Sequence, residues 1–257
     1  MASAGRGDYW VYHEKQFSSL CGQHCLNNLL QGAYFTAPEL AELAQELDAR
    51  ERHHMMELGA DTEDALRFLA EDSGNVDEGG NFSLQVVSEA MKRSHRLWLV
   101  SADSAEVRRE ICSRGYSSEA GFVCNKEAHW LAIRSIGDVY WNLNSMLDYP
   151  ERITAFTLEA TLHQYRLQGY SVFVVRGEGG RQLPPVVKGE RPGVGDPACW
   201  YRGDSLLEMA AMAASSSSSG GTIQTLTHSG AAGARAQPTT AATDVWLNSG
   251  PGQRLDG

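Results

Sequence analysis

An α+β fold is the expectation for this chain, and three observations carry it. Apolar residues recur at helical spacing between Cys21 and Arg93. Between Leu97 and Val175 the apolar residues instead gather into short β-rich runs, two of which flank the turn signal Gly137-Asp138. Near residue 180 the composition shifts to Gly, Ala, Ser, Thr and Pro, which bury little apolar surface. Helices first and a mainly antiparallel sheet afterwards define the α+β class. The 257 residues leave room for one sizeable domain and a tail. The division expected is a disordered start over 1–8, a domain over 9–180, and a low-complexity, mostly disordered tail over 181–257.

The elements follow in order. Cys21 opens an apolar stretch, CGQHCLNNLLQG, with Ser18 or Ser19 placed to cap its helix. Thr36-Ala-Pro-Glu39 is a capping-box start, after which Leu40, Leu43, Ala44 and Leu47 keep helical spacing and Gly59 marks a stop. The cluster Asp48 to His53 reads as a solvated face. A further helix is expected over 62–70, and a Gly/Asn/Asp-rich loop follows Asp72. The next helix should run from Phe82 to Arg93 with Leu84, Val86, Val87 and Met91 on the core. Strands are expected at 97–100, 121–124, 131–136, 139–143 and 170–175, interleaved with helices at 104–114 and 158–168. In the tail, Asp204 to Ala214 reads as a short transient helix, and Cys199-Trp200-Tyr201 as an aromatic cluster that could dock on a partner or back on the domain.

Four residues carry candidate chemistry. Gln16 lies five residues before Cys21, and Cys21 falls in the first turn of its helix. A helix N-terminus lowers a thiol pKa, and a side-chain amide together with the cysteine N–H can hold an oxyanion. A lone cysteine in an apolar stretch is usually a core residue, so a base and an orienting group must appear elsewhere. His129 and Asn144 supply them. With Gly137-Asp138 as the hairpin loop, Ile136 faces Val139, and His129 and Asn144 project from one face as diagonal neighbours. An asparagine oxygen on one ring nitrogen leaves the other free to take the thiol proton. Trp130 and Trp141 share the opposite face, as packing residues would.

The blocks HEKQ-x3-LC-x-QHCLNNLLQG, SGNVDEGGNFSLQVV, VCNKEAHW, WNLNSML and GYSVFVVRGE, in that order, resemble the Josephin family. The resemblance covers about residues 9 to 180. It implies a papain-like cysteine protease fold that cleaves ubiquitin from conjugates and chains. Cys21 then resembles the nucleophile, His129 the general base, Asn144 the residue that orients it, and Gln16 the oxyanion donor. Gly22 stands where several relatives carry alanine. A helical hairpin flanking the substrate channel is implied near 39–57. The family also suggests a nuclear as well as a cytoplasmic location, and ubiquitin or ubiquitinated proteins as partners.

Composition narrows the rest. The net charge is −10, and since the residues from Arg181 onward hold six basic and six acidic side chains, all of it belongs to residues 1–180. Such a surface disfavours nucleic acid and suits a positive strand such as the arginine-bearing C-terminus of ubiquitin, although solubility alone accounts for most of those charges. The first 40 residues show no basic start with a long apolar run, and no segment approaches a bilayer-spanning length. Five cysteines without disulfide-like spacing fit reduced thiols. Cys21, His24 and Cys25, joined by Cys124 or His129, could ligate zinc, but ligands sharing one helix are unlike structural zinc sites; neither metal nor cofactor is expected. The rival to an enzyme is a binding module that holds ubiquitin with negligible turnover. In the tail helix, Leu207 and Ala210 fit a ubiquitin-interacting pattern, but its acidic run is missing and Ala214 replaces its serine.

Overall fold

The computed structural model describes residues 8–16, 19–59, 74–77, 79–177 and 182–218, with side chains 58–59 and 216–218 outside that description. Its frame is a six-stranded sheet with every neighbouring pair antiparallel. The strands are β2 (Leu97–Ser101), β3 (Gly121–Lys126), β4 (His129–Ile136), β5 (Val139–Asn142), β6 (Glu151–Ile153) and β7 (Ser171–Gly177), in the order β2-β7-β3-β4-β5-β6. Strand alternation sends side chains to two cores. Val123, Trp130, Ala132 and Trp141 face α1 (Cys21–Leu30), α2 (Ala37–Gly59) and α3 (Leu84–His95). Phe122, Cys124, Leu131, Ile133 and Tyr140 face the other way, toward α4 (Ala105–Arg114) and α5 (Ala155–Leu167). The mixed, mainly antiparallel architecture is the one the sequence predicts.

The β4–β5 loop is Gly137-Asp138 with φ of 62° at both residues, the left-handed pair that a two-residue hairpin turn of this twist requires. Ile136 pairs with Val139, so the expected register holds. Tyr9 packs so closely that a Cβ on Gly137 would lie 2.1 Å from its ring, and one on Gly203 would lie 2.4 Å away. α1 ends against a buried arginine: Arg134 donates to the Leu29 carbonyl at 2.5 Å and to the Pro184 carbonyl. Burial pushes its pKa down to about 10, yet the cation still meets the negative end of the α1 dipole.

Several local expectations change. α1 begins after Leu20, which adopts the cap position with no side-chain bond, so Ser19 is not the cap; Ser18 lies outside the described residues. The stretch 39–57 is not a hairpin but part of the single helix α2, which nothing interrupts before Gly59; the helix expected over 62–70 lies outside the described residues. Its Thr36–Glu39 capping box forms, with the Thr36 N–H and hydroxyl both donating to Glu39 at 2.8 Å. Asp48 is not solvated: it is buried and accepts from Asn75 Nδ2 at 2.8 Å. Ser83 caps α3, which turns Leu84 outward to 42% exposure while Val86, Val87, Ala90 and Met91 fill the core.

The largest difference lies beyond residue 180. Residues 182–218 are not loose chain but pack on the domain. β8 (Trp200–Arg202) pairs with β1 (Trp10–Tyr12), and α6 (Gly203–Ser218) buries Leu206 in the main core. The aromatic cluster therefore docks back on the domain, with Trp200 4.8 Å from the Tyr12 ring. Residues 1–7 and the tail from 219 onward lie outside the described residues.

Candidate active site

The site gathers where the N-terminus of α1 meets the start of β4. Cys21 is the first residue of α1, and α1 packs along β4, so the thiol arrives at the end of the strand that opens with His129. There Cys21 Sγ donates to the Ala128 carbonyl at 3.0 Å. That carbonyl belongs to the tight β3–β4 turn, where Glu127 takes a left-handed φ of 52°. Burial pushes the thiol pKa above its ordinary value, and the backbone N–H groups of Trp130, Gly22 and Cys21 itself oppose the rise. The side chain is almost fully covered, at 2% exposure.

His129, the first residue of β4, meets Asn144, which lies two residues past the end of β5. His129 Nε2 donates to Asn144 Oδ1 at 3.2 Å. An amide oxygen only accepts, so the bond keeps the proton on Nε2 and leaves Nδ1 unprotonated, as a general base needs. Burial pulls the imidazole pKa below the usual histidine value against that bond, keeping the ring neutral at pH 7. Asn144 is itself held: its N–H donates to Asn142 Oδ1, and its Oδ1 also accepts from the Met146 N–H. Tyr170 stacks edge-on to His129 with ring centres 6.4 Å apart.

Gln16 joins the same end through Ser145. Ser145 Oγ donates to Gln16 Oε1 at 2.6 Å, and the Gln16 N–H donates to the Ser145 carbonyl at 2.8 Å. With its oxygen occupied, the amide presents its NH2 as the free donor. The one signal for Ser145 was its place directly after Asn144. The structure thus joins His129 to Asn144 and Gln16 to the turn behind Asn144. It does not join thiol to imidazole: no hydrogen bond links Cys21 to His129, or Gln16 to Cys21. The thiol points at the carbonyl immediately before His129 instead.

A buried polar network anchors the segment that carries Gln16. Burial alone would push the Glu14 carboxyl up, but bonds from His24, Tyr12 and Asn27 outweigh it and hold Glu14 below the usual range. His24 Nδ1 donates to Glu14 at 2.7 Å and Tyr12 Oη at 2.6 Å. His24 is therefore committed to a carboxylate, away from any shared role with Cys21 and Cys25. Asn28, fully buried, accepts from the Glu14 N–H and donates to the carbonyls of Glu14 and Leu143. A cavity of about 400 Å³ beside Gly137, Asp138, Val139, Arg152 and Leu207 is lined by none of the four candidate residues.

The sequence matches a known family. The Josephin family profile matches residues 16–176, a span that includes all four candidate residues. The chain belongs to the Josephin family. It is 44% identical over 171 residues to human ataxin-3, covering 65% of this chain and 46% of ataxin-3. A putative ataxin-3 homolog of rice is 37% identical over 192 residues (73% of this chain, 56% of that protein), and an ataxin-3 homolog of Caenorhabditis briggsae 32% over 167 (65% and 49%). This Josephin chain thus spans about half the length of the curated relatives it matches. None of its described helices is long and apolar enough to cross a membrane.

Proposed function

We propose that the protein is a thiol-dependent deubiquitinase that hydrolyses the isopeptide bond between the ubiquitin C-terminus and a lysine. The observation that carries this reading is the His129–Asn144 pair, fixed in the tautomer of a general base, one residue from the carbonyl that holds the Cys21 thiol. Rotation of the Cys21 side chain off Ala128 brings its S–H to His129 Nδ1, which takes the proton. The thiolate adds to the terminal glycine carbonyl of ubiquitin. The Gln16 NH2 and the Cys21 N–H receive the oxyanion. As the tetrahedral adduct collapses, the imidazolium returns its proton to the lysine amine, and the C–N bond breaks. Water, deprotonated by the same imidazole, then cleaves the thioester and frees Cys21. The acidic surface suits the arginine-bearing ubiquitin tail. Family membership supports ubiquitin and ubiquitinated proteins as partners, and a place in nucleus and cytoplasm is part of the same proposal.

The covered thiol favours one rival: a module that holds ubiquitin without turning it over. A ubiquitin probe ending in an electrophile separates the two. The enzyme forms a covalent adduct at Cys21 that Cys21→Ala abolishes while the fold is kept; the module binds the probe tightly with no adduct.

A further inference from the structure

β1 has β8 as its strand partner, and the chain around β8 reaches both edges of β1. On one edge, Trp10, Val11 and Tyr12 pair with Arg202, Tyr201 and Trp200; the pairing is closed by the Gly203 N–H donating to Tyr9 and the His13 N–H donating to Cys199, both at 2.8 Å. On the other, the Trp10 N–H donates to the Val187 carbonyl at 2.9 Å, Trp10 Nε1 donates to Gly189, and Tyr9 bridges to Lys188. Residues 187–203 therefore form a strap around the segment that ends three residues before Gln16. The family match stops at residue 176, so the strap lies wholly beyond it.

The strap also reaches the other half of the site. Tyr201 Oη donates to the Asp148 carbonyl at 3.3 Å, and its ring lies edge-on to His13 at 6.3 Å. His13 Nε2 donates to the Leu147 carbonyl at 3.1 Å, and Lys15 pairs with Asp148. The turn held in this way is the one that carries Asn144 and Ser145, and Ser145 fixes Gln16.

We propose that residues 187–203 are a positioning element of the candidate site: clasping both edges of β1 and the Leu147-Asp148 turn, they hold Gln16 and Asn144 in register. Tyr201 is the positioning residue that joins the two halves. It touches neither Cys21 nor His129 and acts through His13 and the turn. The inference rests on the thiol-hydrolase reading for its effect on turnover, but not for its effect on order.

The test uses the full chain with Tyr201→Phe, which keeps the ring and removes one donor, and Tyr201→Ala, which removes both contacts. Hydrogen exchange at the Gln16 amide, which donates to Ser145, reads the order directly and needs no activity. It should quicken about 5-fold in Tyr201→Phe and more in Tyr201→Ala, as loss of a modest hydrogen bond implies. Cleavage of a ubiquitin dimer, normalised to the fraction of Cys21 that takes the electrophilic probe, should show kcat falling by a similar factor with KM within 2-fold. Unchanged Gln16 exchange in both variants overturns the proposal, as does a rise in KM at constant kcat, which would make Tyr201 a substrate contact. If Tyr201→Ala loses cooperative melting, Tyr201→Phe decides. A wild-type chain that takes no probe sinks the hydrolase reading alone, and the exchange data still judge the strap.

Discussion

The thiol of Cys21 is pulled two ways. Backbone N–H groups at the α1 N-terminus favour its anion, while burial and the Ala128 carbonyl favour its neutral form, and the neutral form prevails. With His129 also held neutral, the free protein carries an uncharged thiol and imidazole instead of an ion pair. Alkylation of Cys21 by a small haloacetamide should therefore be slow at pH 7 and climb above pH 9; a plateau from acid pH upward would show a preformed ion pair. Ser145→Ala should lower kcat about 3- to 10-fold, because it frees the Gln16 amide to rotate while removing no group that meets the substrate. Asn144→Ala should cost less turnover than His129→Ala, since it disturbs orientation and leaves the base; the reverse order in a chain-cleavage assay would overturn both assignments. The meeting of His129 and Asn144 was legible because the Gly137-Asp138 turn sets the register of the hairpin that brings them together. Ser145 was not, because a serine beside an asparagine has no pattern of its own. Neither was the thiol's turn toward Ala128, a side-chain torsion that leaves no trace in sequence.

Among the elements, α1 buries polar side chains beside its apolar ones. Its consecutive asparagines Asn27 and Asn28 are both buried, and each spends its amide on backbone from other parts of the chain. Asn28→Ala leaves the Glu14 N–H and the Leu143 carbonyl without that partner, and should destabilise the domain by about 2–3 kcal/mol in urea unfolding. Long periodic elements such as α2 and the β4–β5 hairpin were legible, since period and turn chemistry agree over many residues. The three-residue strands β1, β6 and β8 were not. Val187, Trp200, Tyr201 and Leu206 are too sparse among prolines and glycines to show a period, and the partner that organises them lies about 190 residues away. Leu84 misled for the opposite reason: it fits the helical stripe, but the Ser83 cap starts the helix in a phase that exposes it.

For the whole molecule, buried His13 and half-buried His129 and Glu14 tie stability to pH in one direction. Burial lowers the pKa of His13 and His129 below the ordinary 6.5, and hydrogen bonds outweigh burial to hold Glu14 below its ordinary 4.5. A depressed folded-state pKa contributes stability that is complete above the unfolded value and is lost as pH falls. Urea midpoints should therefore hold from pH 8 to 7, drop as the pH passes below 6.5, and drop again below 4.5; a flat profile down to pH 4 would contradict the buried placements. The Tyr9 ring, wedged between Gly137 and Gly203, carries a different consequence. An N-terminal strand whose ladder partner is almost the last piece of the domain has nothing to pair with while the ribosome is still translating the sheet. Until residue 203 emerges the nascent β1 lacks that partner, so a stalled or prematurely terminated product would be born with the sheet complete and the strap around β1 missing.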